Sequence, residues 1–196
     1  MTAFLFRVSL LALFVACGVS RADDKKVELA VGDLAPTFQV KDDKDKSWSS
    51  SDHVGKKWVV IYFYPGDFTP GCTAQAKAFN AAMDKLTEQG VEVVGVSGDS
   101  VKTHELFKKA MKLNFTLLAD EAGEVAKKFG VPVGKGATVK ARGADKNAIE
   151  FERAVTISRW TFVIGKDGKV AYKNEKVNPL DDAKKIAEFI TDADKK

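Results

Sequence analysis

The stretch "WVVIYFYPGDFTPGCTAQAKAF", from Trp58 to Phe79, contains the pattern of a strand, a loop and a helix in succession. It opens with a continuous run of β-branched and aromatic residues, which is typical of a strand covered on both faces. Pro65 ends that run, and a loop rich in Gly, Pro and Thr follows. From Pro70 the apolar residues recur at three- and four-residue steps, which predicts a helix. The stretch therefore places Cys72 at the start of a helix that follows a buried strand.

The rest of the chain alternates in the same way. "VEVVGVSGD" and "FTLLAD" predict two further strands, with helices capped by Asp99 or Ser100 and by Asp120. "TFVIGKDGKVAY" predicts a hairpin with a tight Asp-Gly turn. The final predicted helix carries one apolar face, formed by Leu180, Ala183, Ile186, Ala187 and Ile190. This order predicts an α/β fold, a three-layer sandwich with a mixed central sheet.

One segment, residues 131–153, does not show the alternation of strands and helices. Residues 131–153 are rich in Gly and Lys, with scattered apolar positions. We interpret them as an extended loop, with a hairpin at "AIEFERA" as the alternative. Their role is open at this stage: a lid, a partner surface or a solvated insertion would each fit.

The N-terminal segment differs from the rest of the chain. Arg7 precedes an apolar run from Val8 to Ala16, and Ser20 and Ala22 have the spacing of a signal-peptidase site. The run is too short to anchor the chain across a bilayer. We therefore predict a signal peptide over residues 1–22 and one domain over residues 23–196, exported to the periplasm or secreted.

A lipoprotein is the second interpretation of this segment. "FVAC", which ends at Cys17, is similar to the box in which a cysteine becomes lipidated, and lipidation would tether the protein to a membrane. In either case Cys17 is lost as a disulfide partner. Because the chain has only two cysteines, the mature domain would hold Cys72 as an unpaired thiol.

The charge balance argues against a nucleic-acid partner. The chain has 31 basic and 27 acidic residues. Cleavage after Ala22 would remove Arg7 and Arg21 and leave 29 basic against 27 acidic residues. No concentrated basic surface follows from so small an excess.

Cys72 stands where a helix favours an anion. Thr69 is in the N-cap position and Pro70 is at the first helical position, so Cys72 lies in the first turn. Backbone N–H groups there have no partner within the helix, and the helix dipole stabilises negative charge. Both effects favour the thiolate, which is the nucleophilic form of cysteine. A cysteine that only fills space beneath the helix is the alternative.

Several blocks of this sequence resemble one family. In "PGDFTPGC", Pro65, Thr69 and Cys72 have the spacing of the peroxiredoxin active site, and "FYPGDFTPGCTAQ" is most similar to the bacterioferritin-comigratory, or peroxiredoxin Q, group. "GVSGDS", "LNFTLLADE" and "ISRWTFVIGKDGKV" follow in the same order as in that group. The resemblance covers about residues 29–189. It implies a thioredoxin-like fold and a thiol peroxidase activity toward hydrogen peroxide or organic hydroperoxides.

The resemblance also implies roles for the residues that match. Cys72 would attack a peroxide oxygen and become a sulfenic acid. Arg159 would stabilise the thiolate, and Thr69 would orient the peroxide through its hydroxyl. Pro65 would shield the sulfenic acid from water. The backbone N–H groups of Gly71 and Cys72 would bind the peroxide oxygens, and Gln75 would hydrogen-bond Arg159.

The sequence departs from that group at one position. Many peroxiredoxin Q proteins carry a second cysteine five residues after the first, where this chain has Lys77, and no cysteine follows Cys72. The resemblance therefore implies a one-cysteine enzyme, monomeric or weakly dimeric. An external thiol would reduce its sulfenic acid, whether a thioredoxin-like protein, a glutaredoxin-like protein or a small thiol. A Cys72–Cys72 disulfide between two chains is the alternative.

Other functions fit the sequence less well. A disulfide reductase would need Cys-x-x-Cys where this chain has "CTAQ". His53 and His104, the two histidines, are far apart in sequence, which disfavours a Cys–His pair or a metal cluster. We expect neither a metal nor another cofactor, and we place His104 on a solvated helix face. An exported binding module of the same fold, without peroxidase turnover, remains the non-enzymatic alternative.

Overall fold

The structure is a computed structural model, and it describes residues 27–144 and 147–195. The predicted signal peptide, the lipoprotein box and Cys17 lie outside this range. Within it, no helix has both the length and the apolar character that a membrane span requires.

The described residues form nine strands and four α-helices. The strands are β1 (Gln39–Asp42), β2 (Ser47–Ser49), β3 (Trp58–Phe63), β4 (Val91–Ser97), β5 (Thr116–Ala119), β6 (Val133–Arg142), β7 (Ala148–Ile157), β8 (Trp160–Ile164) and β9 (Val170–Asn174). The helices are α1 (Pro70–Glu88), α2 (Val101–Met111), α3 (Glu124–Lys128) and α4 (Asp182–Ala193).

Seven of these strands form one mixed sheet in the order β2-β1-β5-β4-β3-β8-β9. β3, β4 and β5 run parallel, because α1 and α2 connect them, whereas β8 pairs antiparallel with both β3 and β9. The mixed sheet and the β8–β9 hairpin are therefore confirmed.

Helices cover both faces of this sheet, as a three-layer sandwich requires. Side chains of β3 alternate between the two layers: Val60 and Tyr62 pack in one apolar cluster with α1 and α4, and Ile61 and Phe63 pack in the other with α3. All six residues of β3 are buried, so its uninterrupted apolar run has the predicted cause. The α/β fold is confirmed.

The prediction of an extended loop over residues 131–153 is wrong. β6 and β7 form a two-stranded antiparallel hairpin that pairs from Val133↔Ile157 to Arg142↔Ala148. Most of its side chains are exposed or half-buried, so it lacks the apolar run that reveals a buried strand. The alternative hairpin at "AIEFERA" identified β7 but missed β6.

Two single-residue predictions are also wrong. His104, placed on a solvated helix face, is fully buried on the inner side of α2. Leu180, assigned to the apolar face of the last helix, precedes α4 and is 68% exposed. The other four apolar positions of that face are buried as predicted.

The capping predictions hold with one change of boundary. Ser100 is the N-cap of α2, and its side chain accepts a hydrogen bond from the Thr103 N–H. The Asp120 carboxylate accepts from the N–H groups of Val125 and Ala126, at 3.1 and 2.8 Å. Asp120 therefore satisfies first-turn donors of α3, although that helix begins later than the sequence pattern indicated.

Candidate active site

Cys72 lies in the first turn of α1, at the end of the sheet where β3 delivers the chain. Thr69 has the extended backbone of an N-cap, and Pro70 occupies the first helical position. The first helical hydrogen bond runs from the Thr73 N–H to the Thr69 carbonyl, so the N–H groups of Gly71 and Cys72 precede it. Cys72 itself is buried. Its sulfur is therefore held at a helix N-terminus and away from bulk water.

Arg159 reaches this sulfur from the neighbouring strand. β8 runs antiparallel to β3, and the register pairs Phe63 with Trp160. Arg159, one residue before Trp160, thus stands beside the loop that leaves β3. Its Nη2 donates to Cys72 Sγ at 3.1 Å. Because guanidinium does not lose its proton in proteins, this contact supplies a permanent positive charge to a thiolate.

The Thr69 hydroxyl points back into the loop. Its Oγ1 donates to the Gly66 carbonyl at 3.1 Å, although its backbone serves as the N-cap of α1. The hydroxyl proton is thereby engaged, while the oxygen lone pairs are left to accept. The Thr69 side chain does not cap α1. The first-turn N–H groups therefore lack the hydrogen bond that an N-cap side chain usually accepts from them.

Gly71 forms the part of the site beneath the guanidinium. A Cβ atom at this position would lie 3.4 Å from Arg159 Nη2 and 3.9 Å from Pro179 Cγ. Both are ordinary van der Waals distances, so position 71 packs directly against the guanidinium that contacts Cys72 Sγ.

Gln75 lies one turn after Cys72 and joins the guanidinium to α4. Its Oε1 accepts from Arg159 Nη1, as the sequence predicted. Its Nε2 donates to Asp182 Oδ2 at 2.7 Å, and Thr161 Oγ1 donates to the same oxygen at 2.7 Å. Sequence reasoning missed Asp182, because the one local signal was an acidic residue at the start of a helix, which ordinarily stabilises the helix dipole.

The loop between β3 and α1 is fixed by a second carboxylate. Asp67 is fully buried and accepts from Tyr64 Oη at 2.8 Å. Its other oxygen contacts His104 Nδ1 at 2.8 Å, and its backbone N–H donates to Asp99 Oδ2 at 2.7 Å. The segment that carries Pro65 and Thr69 is therefore tied to α2 and to the end of β4.

Arg153 extends this network to the β6–β7 hairpin. Its Nε donates to Asp99 Oδ1 at 2.8 Å, and its Nη2 donates to the Asp67 carbonyl at 3.1 Å. A Cβ on Gly66, where φ is +152°, would lie 1.9 Å from Arg153 Cζ. Glycine is thus required at position 66 for the guanidinium to pass. Sequence reasoning missed Arg153 because it lies in the segment interpreted as a loop.

Burial and neighbouring charge shift the titration of these groups. Burial raises the pKa of Asp99, and the adjacent Asp67 raises it further, while Arg153 opposes the change. For His104, burial alone lowers the pKa, but the Asp67 carboxylate outweighs burial and the net shift is upward. Both ring nitrogens of His104 face acceptors, Asp67 Oδ2 and the Leu118 carbonyl, which is the arrangement that suits the imidazolium form.

The structure brings most of the predicted site residues together. Cys72, Arg159 and Gln75 are linked by direct hydrogen bonds, Gly71 lies against Arg159, and Thr69 occupies the N-cap position of the same helix. Pro65 follows β3 by two residues and is half-buried in the anchored loop. Across the described ranges, no three His, Cys, Asp or Glu side chains are grouped as metal ligands.

Comparison with known proteins agrees with this geometry. The AhpC/TSA family profile matches residues 31–173. The chloroplastic peroxiredoxin Q of Sedum lineare is 46% identical over 121 residues, which cover 60% of this chain and 64% of that protein. A Coxiella burnetii protein named as a bcp peroxiredoxin is 39% identical over 145 residues, 74% of this chain and 87% of that protein.

Among solved structures, peroxidoxin BcpB from Mycobacterium tuberculosis matches with a TM-score of 0.70 and 26% identity, over 84% of this chain and 98% of that one. The chain spans only about half to two thirds of the length of the plant relatives it matches. The family profile and the match to the bcp relative each cover nearly three quarters of the chain. This protein therefore belongs to the AhpC/TSA family, in its peroxiredoxin Q/bcp group.

Proposed function

We propose that this protein is a thiol peroxidase in which Cys72 reduces hydrogen peroxide or an organic hydroperoxide. The observation that carries the proposal is the 3.1 Å contact between Arg159 Nη2 and Cys72 Sγ at the N-terminus of α1. Fixed positive charge and first-turn N–H groups together favour the thiolate, and they remain in place as charge moves onto oxygen. A module that only binds partners would not require a cation on its buried sulfur.

The oxidation step uses these groups as follows. The Cys72 thiolate attacks the nearer peroxide oxygen, a sulfur–oxygen bond forms and the oxygen–oxygen bond breaks. Sulfur loses two electrons and becomes a sulfenic acid, and the distal oxygen leaves as water or an alcohol after it takes up a proton. Arg159 and the N–H groups of Gly71 and Cys72 stabilise negative charge on sulfur and then on oxygen. Thr69, whose hydroxyl proton is held by the Gly66 carbonyl, accepts a hydrogen bond from the peroxide.

The return step needs a thiol from outside the chain. A first external thiol condenses with the sulfenic acid, releasing water and forming a mixed disulfide, and a second thiol releases Cys72 as thiolate. Cys72 is the one free cysteine within the residues that the structure describes. The reductant that we propose is a thioredoxin-like or glutaredoxin-like protein or a small thiol, acting on a monomer or weak dimer.

The experiment is a stopped-flow reaction of the reduced protein with one equivalent of hydrogen peroxide. A Cys17→Ser background leaves Cys72 as the single thiol, since the chain has two cysteines. Fluorescence of Trp160, which adjoins Arg159, follows the rate, and mass spectrometry identifies the product. We expect fast addition of one oxygen to Cys72, and no such reaction in Cys72→Ser. Oxidation no faster than that of free cysteine would overturn the proposal and favour the binding module.

We also propose that the mature protein is exported, with the apolar run from Val8 to Ala16 as its signal. The mass of the mature protein purified from cell fractions separates two processing routes. A chain that begins at Asp23 supports signal-peptidase cleavage, and a diacylated chain that begins at Cys17 supports a lipoprotein. An intact N-terminus in the cytoplasmic fraction would contradict export.

A further inference from the structure

A chain of hydrogen bonds extends from the reactive sulfur to a residue on the last helix. Arg159 donates to Cys72 Sγ through Nη2 and to Gln75 Oε1 through Nη1. Gln75 Nε2 then donates to Asp182 Oδ2 at 2.7 Å. Gln75 and Asp182 are both buried, at 0% and 1% exposure. Water therefore does not compete for these bonds, and each group depends on the next for its position.

The chemistry of the two ends fixes the orientation of the amide between them. Arginine can only donate hydrogen bonds, so the atom of Gln75 that meets Arg159 must be the oxygen. The nitrogen then faces Asp182, whose Oδ2 accepts from both Gln75 and Thr161. With Asp182 removed, the amide nitrogen would lose its acceptor in a buried site, and the orientation of Gln75 toward Arg159 would lose its second constraint.

The placement of the carboxylate one residue away from the guanidinium matters electrostatically. Arg159 donates to the neutral amide of Gln75 and to the Cys72 sulfur. The Gln75 amide therefore separates the guanidinium from the Asp182 carboxylate, which does not pair with it directly. Asp182 accepts a hydrogen bond from the Gln75 amide and so holds that amide, without a hydrogen bond of its own to Arg159. The guanidinium is thereby oriented and remains available to the thiolate.

Asp182 has features that a helix-capping residue would not need. It is fully buried, and its second oxygen, Oδ1, has no hydrogen-bond partner in the part of the chain that the structure describes. Burial raises its pKa, an effect that hydrogen bonds from Thr161 and Gln75 and the charge of Arg159 oppose. A buried carboxyl group with an unpaired oxygen costs stability, which suggests that its position serves the site. Asp182 also lies beyond residues 31–173, which the family profile matches.

We propose that Asp182 is a positioning residue for the proposed peroxidase reaction: through Gln75 it holds the Arg159 guanidinium against the Cys72 thiolate. This proposal rests on the proposed peroxidase function only where the rate of oxidation by peroxide is measured. The orientation of Arg159 toward the thiolate has a second readout, alkylation of Cys72 by iodoacetamide across a range of pH, which reports the thiolate without any peroxide.

The test compares two substitutions of Asp182 in the full chain with Cys17→Ser. Asp182→Ala removes the acceptor, and we expect oxidation by hydrogen peroxide to slow by about tenfold to a hundredfold, because small displacements of a positioned group cost that much. Asp182→Asn keeps an oxygen that can accept from Gln75 and Thr161, and we expect it to stay within about threefold of the wild-type rate. Alkylation of Asp182→Ala should require a higher pH.

The neighbouring Asp181 is the matched control. It is exposed, it is the N-cap of the same helix, and its carboxylate accepts from Asn178 rather than from the site. Asp181→Ala should react at the wild-type rate. If Asp181→Ala and Asp182→Ala slow the reaction equally, the effect comes from the start of α4, and the proposal is overturned.

A double-mutant cycle decides whether Asp182 acts through Gln75. In a Gln75→Ala background, Asp182→Ala should have little further effect on either readout, because the connection is already broken. The proposal would be overturned if Asp182→Ala slowed the reaction equally in wild type and in Gln75→Ala. A folded Asp182→Ala variant with the wild-type rate would also overturn it. If Asp182→Ala does not fold, Asp182→Leu replaces it, since a buried carboxyl can be exchanged for an apolar group of similar volume. If the wild type itself reacts slowly with peroxide, the proposed function fails, and alkylation still tests the positioning.

Discussion

At the scale of single residues, reactivity depends on what surrounds one sulfur atom. Cys72 has three sources of stabilisation for negative charge: the Arg159 guanidinium at 3.1 Å, the first-turn N–H groups and the dipole of α1. The last two come from the helix and survive most substitutions. The guanidinium comes from another strand and can be removed alone.

Arg159→Ala should therefore slow oxidation of Cys72 by about 10²- to 10³-fold, the usual cost of losing one preorganised donor in an active site. Arg159→Lys should recover only part of the rate, because an ammonium group cannot contact Cys72 and Gln75 with the two arms of a planar fork. Stopped-flow rates, with circular dichroism to confirm the fold, provide the measurement. A folded Arg159→Ala variant with the wild-type rate would show that Arg159 is misassigned.

Thr69 offers a test that separates its hydroxyl from its shape. Thr69→Ser keeps the hydroxyl and should keep the rate. Thr69→Val keeps the shape and loses both the bond to the Gly66 carbonyl and the acceptor for peroxide, so we expect oxidation about tenfold slower, equivalent to one hydrogen bond. The free energy of unfolding should fall by only about 1 kcal/mol, the value of the lost bond to the Gly66 carbonyl, because the side chain does not also cap α1. Equal rates for Thr69→Val and wild type would contradict the assignment.

At the scale of elements, two side chains of β7, Arg153 and Phe151, attach the β6–β7 hairpin to the active-site loop. Arg153 lies on β7, is buried, and bonds both Asp99 and the backbone of Asp67. Phe151 of the same strand packs near Phe68, with ring centroids 5.9 Å apart. The hairpin is thus part of the support of the loop that presents Thr69.

Arg153→Met should lower the free energy of unfolding by about 3–5 kcal/mol, because it leaves the buried Asp99 carboxylate without its cation. Urea unfolding measures the loss. Adding Asp99→Asn to Arg153→Met should recover part of it, since the uncompensated charge is then gone. Arg142→Met, at an exposed position of the same hairpin, should stay within about 0.5 kcal/mol of wild type. An Arg153→Met variant as stable as Arg142→Met would argue against the attachment.

At the scale of the whole molecule, the buried His104 connects three parts of the fold. It lies on α2, contacts Asp67 in the active-site loop and bonds the Leu118 carbonyl of β5. Asp99 adds a second negative charge nearby, and the net effect raises the pKa of His104 despite its burial. Because the pKa of His104 is raised on folding, protonation of its imidazole stabilises the folded state.

The sign of the pH dependence follows from that shift. A histidine whose pKa is raised on folding contributes stability that is fully present below its unfolded value, about 6.5, and is lost as pH rises through the folded value. We expect the free energy of unfolding of wild type, relative to His104→Gln, to be largest near pH 5–6 and to decline above about pH 6.5. Urea titrations at a series of pH values measure this difference.

His53→Gln is the control for this prediction, because the half-buried His53 contacts Glu92 and not Asp67. The decline with pH should persist in His53→Gln. A difference between wild type and His104→Gln that is constant across pH, or that grows as pH rises, would mean that His104 is neutral in the folded protein.

Local patterns were enough for much of this molecule. The apolar run of β3, the change of period at Pro70 and the Asp-Gly turn after β8 each identified their element, because their side chains meet the core or the turn directly. The role of Arg159 could not be predicted from local sequence patterns. Its distance in sequence from Cys72 is large, and it was placed through resemblance to a family; the antiparallel register of β8 against β3 is what brings it to the sulfur.

The sequence by itself determined the α/β order of the elements and the position of Cys72 at a helix N-terminus, because both follow from periodicity and capping over short distances. Only the tertiary structure decided that β6 and β7 form a hairpin, that His104 is buried and that Asp182 hydrogen-bonds Gln75. Each of these depends on partners far away in the chain. A polar side chain in a local pattern looks solvated, and burial becomes favourable only when a distant group completes its hydrogen bonds.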